Sequence, residues 1–117
     1  MSGKRILVID DEKAILDALK IILEDLGHVL EVYQRPEEGL KAALAGEFDL
    51  IISDLRMPGM NGAEIVEGIR REKPDSRILI ITAYPADPLV GRALKAGARG
   101  ILKKPFEIAK IIDILRE

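Results

Sequence analysis

Five short apolar segments, spaced along the chain, constrain its fold more than any other feature of the sequence. They comprise residues 5–9, 29–33, 50–53, 78–82 and 100–103. Most of them are rich in β-branched residues and show little alternation of polar and apolar side chains. Such segments are typical of strands that are buried on both faces of a parallel sheet.

Amphipathic helical segments alternate with these predicted strands. The first of them ends at Gly27, and the second begins at Pro36. The fourth has Asp87 as its N-cap and Gly97 after its last turn. This alternation predicts an α/β fold, a doubly wound five-stranded parallel sheet of order 2-1-3-4-5 in the flavodoxin-like (βα)5 arrangement. We expect residues 1–117 to form one domain with this fold.

The composition excludes several classes of function. The net charge is only -2 and no basic run stands out, so we expect no nucleic-acid binding. The absence of cysteine excludes disulfides, thiolate chemistry and cysteine-ligated metals. The apolar run near the N-terminus is too short for a signal peptide or a membrane span, so we expect a cytoplasmic protein without membrane contact.

Polar residues stand at the ends of four predicted strands. Asp10 and Asp11 follow the first strand, Asp54 follows the third, Thr82 ends the fourth and Lys104 follows the fifth. Ligands of open α/β sheets bind along the edge where these strand ends lie, near the point at which the strand order reverses. We therefore expect the side chains of Asp11 and Asp54 to lie close together, with Thr82 and Lys104 at the same edge of the sheet.

This combination of side chains suits phosphoryl transfer. Three neighbouring carboxylates repel one another, and Lys104 together with a divalent cation would offset that repulsion. Mg²⁺ prefers a site with a few carboxylates and several waters. A carboxylate can then attack phosphorus while the metal and the lysine neutralise the phosphoryl oxygens.

Four motifs give the chain a resemblance to a known family. They are Ile-Asp-Asp-Glu at 9–12, Ser-Asp-Leu-Arg-Met-Pro-Gly-Met-Asn-Gly at 53–62, Thr-Ala at 82–83 and Lys-Pro-Phe at 104–106. The chain resembles the response regulator receiver family of two-component signal transduction from end to end. The resemblance implies a signalling module, not an enzyme, that promotes only its own phosphorylation and dephosphorylation.

The resemblance also implies roles for the acidic residues. Asp54 matches the phosphoacceptor, which receives its phosphoryl group from a histidine kinase or a histidine phosphotransfer protein. Asp11 matches the direct Mg²⁺ ligand, and Asp10 matches the acid that holds the metal largely through water. Asp54 and the backbone carbonyl of Arg56 complete the implied metal ligands.

Further matches concern the groups around the phosphoryl oxygens. Thr82 matches the hydroxyl that moves onto the phosphoryl group, and Ala83 matches a position whose backbone N–H contacts it, beside the backbone of Arg56. Lys104 matches the lysine that pairs with a phosphoryl oxygen. The bond between Lys104 and Pro105 matches one that is cis in the family.

One position departs from the family pattern. Many receivers carry an aromatic residue three positions before the lysine, and this chain has Ile101 there. In the family, the threonine and this aromatic residue move together and act as a switch. This chain keeps the threonine, Thr82, and lacks the aromatic residue. Tyr84 is a candidate to cover the site instead, and Arg56 and Tyr84 flank the approach of water to the phosphoryl group. We expect the switching surface to comprise the fourth helix, fifth strand and fifth helix, which would contact a second copy or an output domain.

Two alternatives remain open at the level of sequence. The first is a degenerate receiver that only binds partners, although such a module need not keep Asp54, Thr82 and Lys104. The second is a Mg²⁺-dependent phosphatase that acts on small molecules through an aspartyl phosphate. Haloacid-dehalogenase-like enzymes of that kind carry an Asp-x-Asp motif after the first strand, and residues 10–12 lack that spacing.

Overall fold

Five strands and five helices alternate along the chain in the computed structural model, which describes residues 3–105 and 108–117. The strands are β1 (Arg5–Ile9), β2 (Val29–Tyr33), β3 (Leu50–Asp54), β4 (Ile78–Thr82) and β5 (Gly100–Lys103). The helices are α1 (Lys13–Asp25), α2 (Pro36–Ala45), α3 (Gly62–Glu72), α4 (Pro88–Ala96) and α5 (Ile108–Leu115). The predicted alternation of strands and helices is confirmed.

All strand pairs are parallel, and the sheet order is β2-β1-β3-β4-β5. This is the predicted order, in which the chain reverses its winding direction between β1 and β3. Among the described residues, no helix is long and apolar enough to cross a membrane.

The sheet carries a separate apolar core on each face. Ile6 and Val8 of β1 point to the core on one face, which also contains side chains of α1 and α5. Leu7 and Ile9 point to the other core, which contains side chains of α2, α3 and α4. Because each fully buried Ile or Leu contributes about 1.5–3 kcal/mol, continuous apolar runs in the central strands stabilise both layers of helices.

The third strand is one residue longer than the sequence predicted. Asp54 is the last residue of β3 and pairs with Ile81 of β4, whereas the sequence analysis ended the strand at residue 53. Helix α3 begins close to this strand end. A Cβ added to Gly62, its first residue, would lie only 2.4 Å from the Asp54 carbonyl oxygen. A glycine at position 62 therefore lets the loop after Asp54 close tightly.

The ends of α4 are those that the sequence predicted. The Asp87 side chain accepts a hydrogen bond from the backbone N–H of Leu89, and Pro88 occupies the first turn. Gly97 has a φ of 115°, a left-handed conformation that favours glycine at a helix C-terminus. Ala93 is the only fully buried residue of this helix, and the half-buried side chains of Leu89, Val90 and Ala96 also pack against the core on this face of the sheet.

We predict that Gly91→Ala stabilises the protein by about 1 kcal/mol, because glycine is a poor helix former. Gly91 lies inside α4, and a Cβ added there would meet nothing within 4 Å. The free energy of unfolding, measured in urea, tests this. Gly39→Ala is the matched control in α2, where a Cβ would lie 2.5 Å from Ile9, and it should destabilise the protein. A Gly91→Ala variant less stable than the parent would contradict the prediction.

Candidate functional site

The carboxyl ends of four strands bring the predicted polar side chains to one edge of the sheet. Asp10 follows β1, Asp54 ends β3, Thr82 ends β4 and Lys104 follows β5. The strand register aligns them, since Asp54 pairs with Ile81, the residue before Thr82. Asp10, Asp54 and Thr82 are buried although they are polar. Buried polar groups need partners, and here Lys104 and nearby backbone N–H groups supply them.

Lys104 lies at the centre of the acidic residues. Its Nζ is 3.0 Å from Asp10 Oδ2, 2.9 Å from Glu12 Oε1 and 3.3 Å from Asp54 Oδ2. The Lys104 side chain is only 12% exposed, so water screens its interactions with the buried Asp10 and Asp54 weakly, whereas Glu12 is exposed. One ammonium group therefore holds together three carboxylates that would otherwise repel each other.

Backbone N–H groups fix the orientation of both buried carboxylates. Asp10 Oδ1 accepts a hydrogen bond from Glu12 N at 2.8 Å, and Asp54 Oδ1 accepts one from Leu55 N at 2.8 Å. Each Oδ2 atom is thereby turned toward Lys104. Asp10 Oδ2 is in ion-pair contact with the ammonium group but finds no hydrogen-bond partner of good geometry among the described residues.

Burial and mutual repulsion shift the proton affinities of these groups. Burial, followed by the nearby charge of Asp10, raises the pKa of Asp54 to about 7. Burial also raises the pKa of Asp10, although the Glu12 N–H and Lys104 oppose the rise. Burial alone would lower the pKa of Lys104, but hydrogen bonds to Glu12 and Asp10 outweigh it and raise that pKa. The site is thus short of positive charge at neutral pH.

The acidic residues that converge differ in one member from the expected set. Carboxylate oxygens of Asp10, Glu12 and Asp54 lie within 4.8 Å of one another, which suits ligation of one cation. Asp11, expected as the direct metal ligand beside Asp54, is exposed and is not a member of this group. Glu12, the residue before α1, occurs in the Ile-Asp-Asp-Glu motif, and the sequence analysis gave it no role.

The observed donor set fits a hard divalent cation. Asp10 Oδ2 is buried and lacks a well-oriented hydrogen bond within the described part of the chain, and the neighbouring carboxylates leave negative charge uncompensated. An ion that prefers oxygen ligands would satisfy both conditions. Arg56, whose carbonyl is the other expected ligand, lies in the loop two residues after Asp54.

The Thr82 hydroxyl lies at the same strand edge and is held in place by the next loop. Thr82 is 3% exposed, and its Oγ1 accepts a hydrogen bond from the backbone N–H of Tyr84 at 3.0 Å. Ala83, between them, is exposed at the start of the loop. The Tyr84 side chain is 72% exposed, so its ring does not pack over the site in this state.

The remaining expected switch residues lie on and beside β5. Ile101 is half-buried and packs against the core that contains α3 and α4 side chains. The peptide bond between Lys104 and Pro105 is cis, as the resemblance implied. Phe106, the last residue of the Lys-Pro-Phe motif, lies outside the described residues.

An ion pair that the sequence analysis missed joins the loop after Asp54 to α4. The Arg56 guanidinium donates to both carboxylate oxygens of Asp87, from Nε at 2.7 Å and from Nη2 at 2.8 Å. These hydrogen bonds, followed by the one from Leu89 N, lower the pKa of Asp87. Asp87 was identified only as a helix cap, because nothing in the sequence signals that two loops 31 residues apart meet here.

Comparisons with known proteins agree with this geometry. The family profile described as response regulator receiver domain matches residues 6–116. The transcriptional regulatory protein FixJ of Bradyrhizobium diazoefficiens is 35% identical over 102 residues, which cover 87% of this chain and 50% of FixJ. The chain spans about half the length of the curated relatives that it matches.

Two solved structures are similar over nearly the whole chain. A CheY-like receiver domain protein from Methanospirillum hungatei JF-1 has a TM-score of 0.91 and 34% identity, with 98% of this chain and 95% of that one covered. The receiver domain of sensor histidine kinase PA1611 from Pseudomonas aeruginosa has a TM-score of 0.88 and 25% identity, with 98% and 96% covered. That second structure has a magnesium ion coordinated in its active site cleft.

Proposed function

This chain belongs to the response regulator receiver domain family, and from that premise we propose that Asp54 accepts a phosphoryl group from a histidine kinase or histidine phosphotransfer protein. The observation that carries the proposal is the contact of Lys104 Nζ with three carboxylates at the carboxyl ends of the strands. Such a site pairs a nucleophile with preorganised positive charge, which is what phosphoryl transfer requires.

The proposed reaction forms a bond between a carboxylate oxygen of Asp54 and phosphorus. The bond between phosphorus and the leaving atom of the donor breaks at the same centre, and the leaving group keeps the electron pair. The proton-free carboxylate is the reactive form. It is negatively charged, as are the phosphoryl oxygens, so positive charge that neutralises those oxygens promotes the attack. Leu55 N donates to Asp54 Oδ1, which leaves the Oδ2 side toward Lys104 for the incoming group.

Lys104 and Thr82 are the proposed catalytic partners. Once phosphate is present, the Lys104 ammonium would leave Glu12 and pair with a phosphoryl oxygen, whose charge is greater. The Thr82 hydroxyl accepts from Tyr84 N and so keeps its own hydrogen to donate to a second phosphoryl oxygen. The backbone N–H groups of Arg56 and Ala83 are proposed to hold the remaining oxygens.

We include Mg²⁺ as the cofactor, held by Asp10, Asp54 and the Arg56 carbonyl. The acidic group at this edge supports the site, and we keep Asp11 as a proposed ligand because its exposed side chain is free to turn inward. A bound Mg²⁺ would supply positive charge to the phosphoryl oxygens in the transition state. Glu12 is a further candidate ligand once Lys104 has left it.

The proposed consequence of phosphorylation is a change on the surface made by α4, β5 and α5. A second copy or an output domain would read that surface, and a kinase or phosphotransfer protein would approach the Asp54 edge. Residues 1–117 would serve as one receiver domain in these contacts, with the cytoplasm as the proposed location. This role is signalling, and turnover is limited to the phosphoryl group of the domain itself.

Intact mass spectrometry with acetyl phosphate and Mg²⁺ tests the proposed function. We predict one added phosphate on the parent protein, none on Asp54→Asn, and none on the parent when EDTA removes the metal. Asp49→Asn is the matched control, because Asp49 is an exposed acid at the opposite end of β3. A parent protein that gains no phosphate under these conditions would favour a module that only binds partners.

A further inference from the structure

The charged pair of Arg56 and Asp87 links the loop after the phosphoacceptor to the start of α4. Both hydrogen bonds of the pair are short, and a bidentate contact between guanidinium and carboxylate is among the strongest in proteins. The Asp87 side chain is only 10% exposed, whereas that of Arg56 is 63% exposed. The carboxylate is therefore fixed, while the guanidinium has open space into which it can move.

Asp87 also holds the first turn of α4. Its Oδ1 accepts a hydrogen bond from Leu89 N at 2.9 Å in addition to the one from Arg56. Its backbone N–H donates to the Tyr84 carbonyl at 3.0 Å, which ties the cap to the loop that follows Thr82. The orientation of this one side chain thus depends on Arg56 and determines how α4 begins.

The rest of α4 packs on one side against the core. Ala93 is buried and Leu89, Val90 and Ala96 are half-buried against that core, while Gly91 lies exposed. A second bidentate pair, Arg92 with Glu67 of α3, ties the middle of the helix at 2.7 Å for both hydrogen bonds. The Arg92–Glu67 pair and the buried Ala93 hold the middle of the helix, so a change at Asp87 would act on the first turn.

A phosphoryl group on Asp54 would compete with Asp87 for the guanidinium. It brings up to about two negative charges and three strong acceptor oxygens. Arg56 is two residues away along the chain, a backbone distance of at most about 7 Å, so an arginine side chain can reach it.

We propose that the Arg56–Asp87 ion pair couples phosphorylation to α4, because the phosphoryl group draws the Arg56 guanidinium away from Asp87 and loosens the first turn of the helix. The inference rests on the proposed function of Asp54. It gives this chain a route to α4 that does not use position 101, where the aromatic residue of many receivers is replaced by Ile101. Arg56 acts on the phosphoryl group, and Asp87 is a positioning residue that acts through Arg56.

The Asp87→Asn substitution removes the charge of the ion pair but keeps the helix cap. Asparagine has nearly the same shape and is an equally good N-cap, so the hydrogen bond from Leu89 N is retained while the charge is lost. Arg56→Gln removes the other partner. Glu67→Gln is the matched control, because it breaks the second bidentate pair on α4 at a point away from Asp54.

Amide hydrogen exchange of residues 84–96, with and without acetyl phosphate and Mg²⁺, tests the coupling. In the parent protein we expect phosphorylation to speed exchange of the Leu89 and Val90 amides about fivefold, the lower range for coupled sites. In Asp87→Asn and Arg56→Gln we expect phosphorylation to leave these rates nearly unchanged. In Glu67→Gln we expect the full increase above a faster starting rate.

Binding of beryllofluoride with Mg²⁺, a mimic of the phosphoryl group, supplies a second readout. Coupling is reciprocal, so Asp87→Asn should bind the mimic about fivefold more tightly than the parent, and Glu67→Gln should bind it equally. A purely structural role of Asp87 would not tighten this binding. Thermal unfolding of each variant establishes that it is folded.

The outcomes separate the coupling from the function on which it rests. If the parent protein gains no phosphate by mass, the proposed function is wrong. If it gains phosphate but the α4 amides do not respond, or respond equally in Asp87→Asn and Arg56→Gln, then the function stands and the coupling is refuted.

Discussion

The Lys104→Met variant is expected to accept phosphate from acetyl phosphate about a hundredfold more slowly than the parent protein. Removal of one preorganised charge from a buried site that stabilises developing negative charge costs about 10²–10³ in rate. Methionine keeps most of the length and volume of the lysine stem, so the ammonium group is the main feature that changes. The time course of phosphate addition, followed by intact mass, measures the effect.

Lys103→Met is the matched control for this prediction. Lys103 is the preceding residue, ends β5 and is exposed. It should be phosphorylated at nearly the rate of the parent protein. Equal rates for Lys104→Met and the parent would mean that the ammonium group does not assist the transfer, and equal losses in both variants would point to a general charge effect.

The Asp54→Asn variant is expected to be about 2 kcal/mol more stable than the parent protein at pH 8 in the absence of divalent metal. Burial and the charge of Asp10 raise the pKa of Asp54 from 3.8 to about 7. A shift of that size corresponds to about 4 kcal/mol as an upper limit, and sharing of the proton with neighbouring acids reduces it. The neutral amide removes the repulsion permanently.

The pH dependence of this difference follows from the sign of the pKa shift. Between about pH 4 and pH 7 the folded parent protein retains a proton that the unfolded chain has already lost. The contribution of Asp54 to stability therefore falls as the pH rises through this window, and Asp54→Asn should not show that fall. The two proteins should be nearly equally stable at pH 4.

Urea unfolding in EDTA at pH 4 and pH 8 measures this prediction. Asp11→Asn is the control, because Asp11 is an exposed acid next to the site and is outside the group of converging carboxylates. We expect Asp11→Asn to change the stability by less than about 0.5 kcal/mol, the usual range for surface substitutions. An Asp54→Asn protein that is no more stable than the parent at pH 8 would contradict the prediction, because it would show that the ionised Asp54 carboxylate does not destabilise the folded protein.

The fold and most of the site were predictable because they follow from local patterns. The apolar runs at the strands and the alternation with helices determined the strand order, and that order placed Asp54, Thr82 and Lys104 at one edge. Helix-end residues such as Asp87 and Gly97 marked the ends of α4 correctly, because capping depends on a few adjacent residues.

The remaining features depend on contacts between residues distant in sequence. Glu12 reaches Lys104 across 92 residues, and the motif gave no reason to prefer it over Asp11 as a partner. The pairing of Arg56 with Asp87 depends on how two loops meet above the sheet. The additional strand residue at Asp54 reflects hydrogen bonding to the neighbouring strand, where Leu55 N donates to the Ile81 carbonyl. Local sequence carries none of this information.

Chemical mapping of the phosphorylated residue tests most directly whether the strand ends form a phosphoacceptor site. Borohydride reduces an aspartyl phosphate to homoserine, and tandem mass spectrometry of the peptides that contain residues 10–11 and residues 50–56 then locates the change. After treatment with acetyl phosphate and Mg²⁺, we predict homoserine at position 54 alone. Homoserine at position 10 or 11, or an unmodified peptide from protein that has gained phosphate, would contradict the assignment of Asp54.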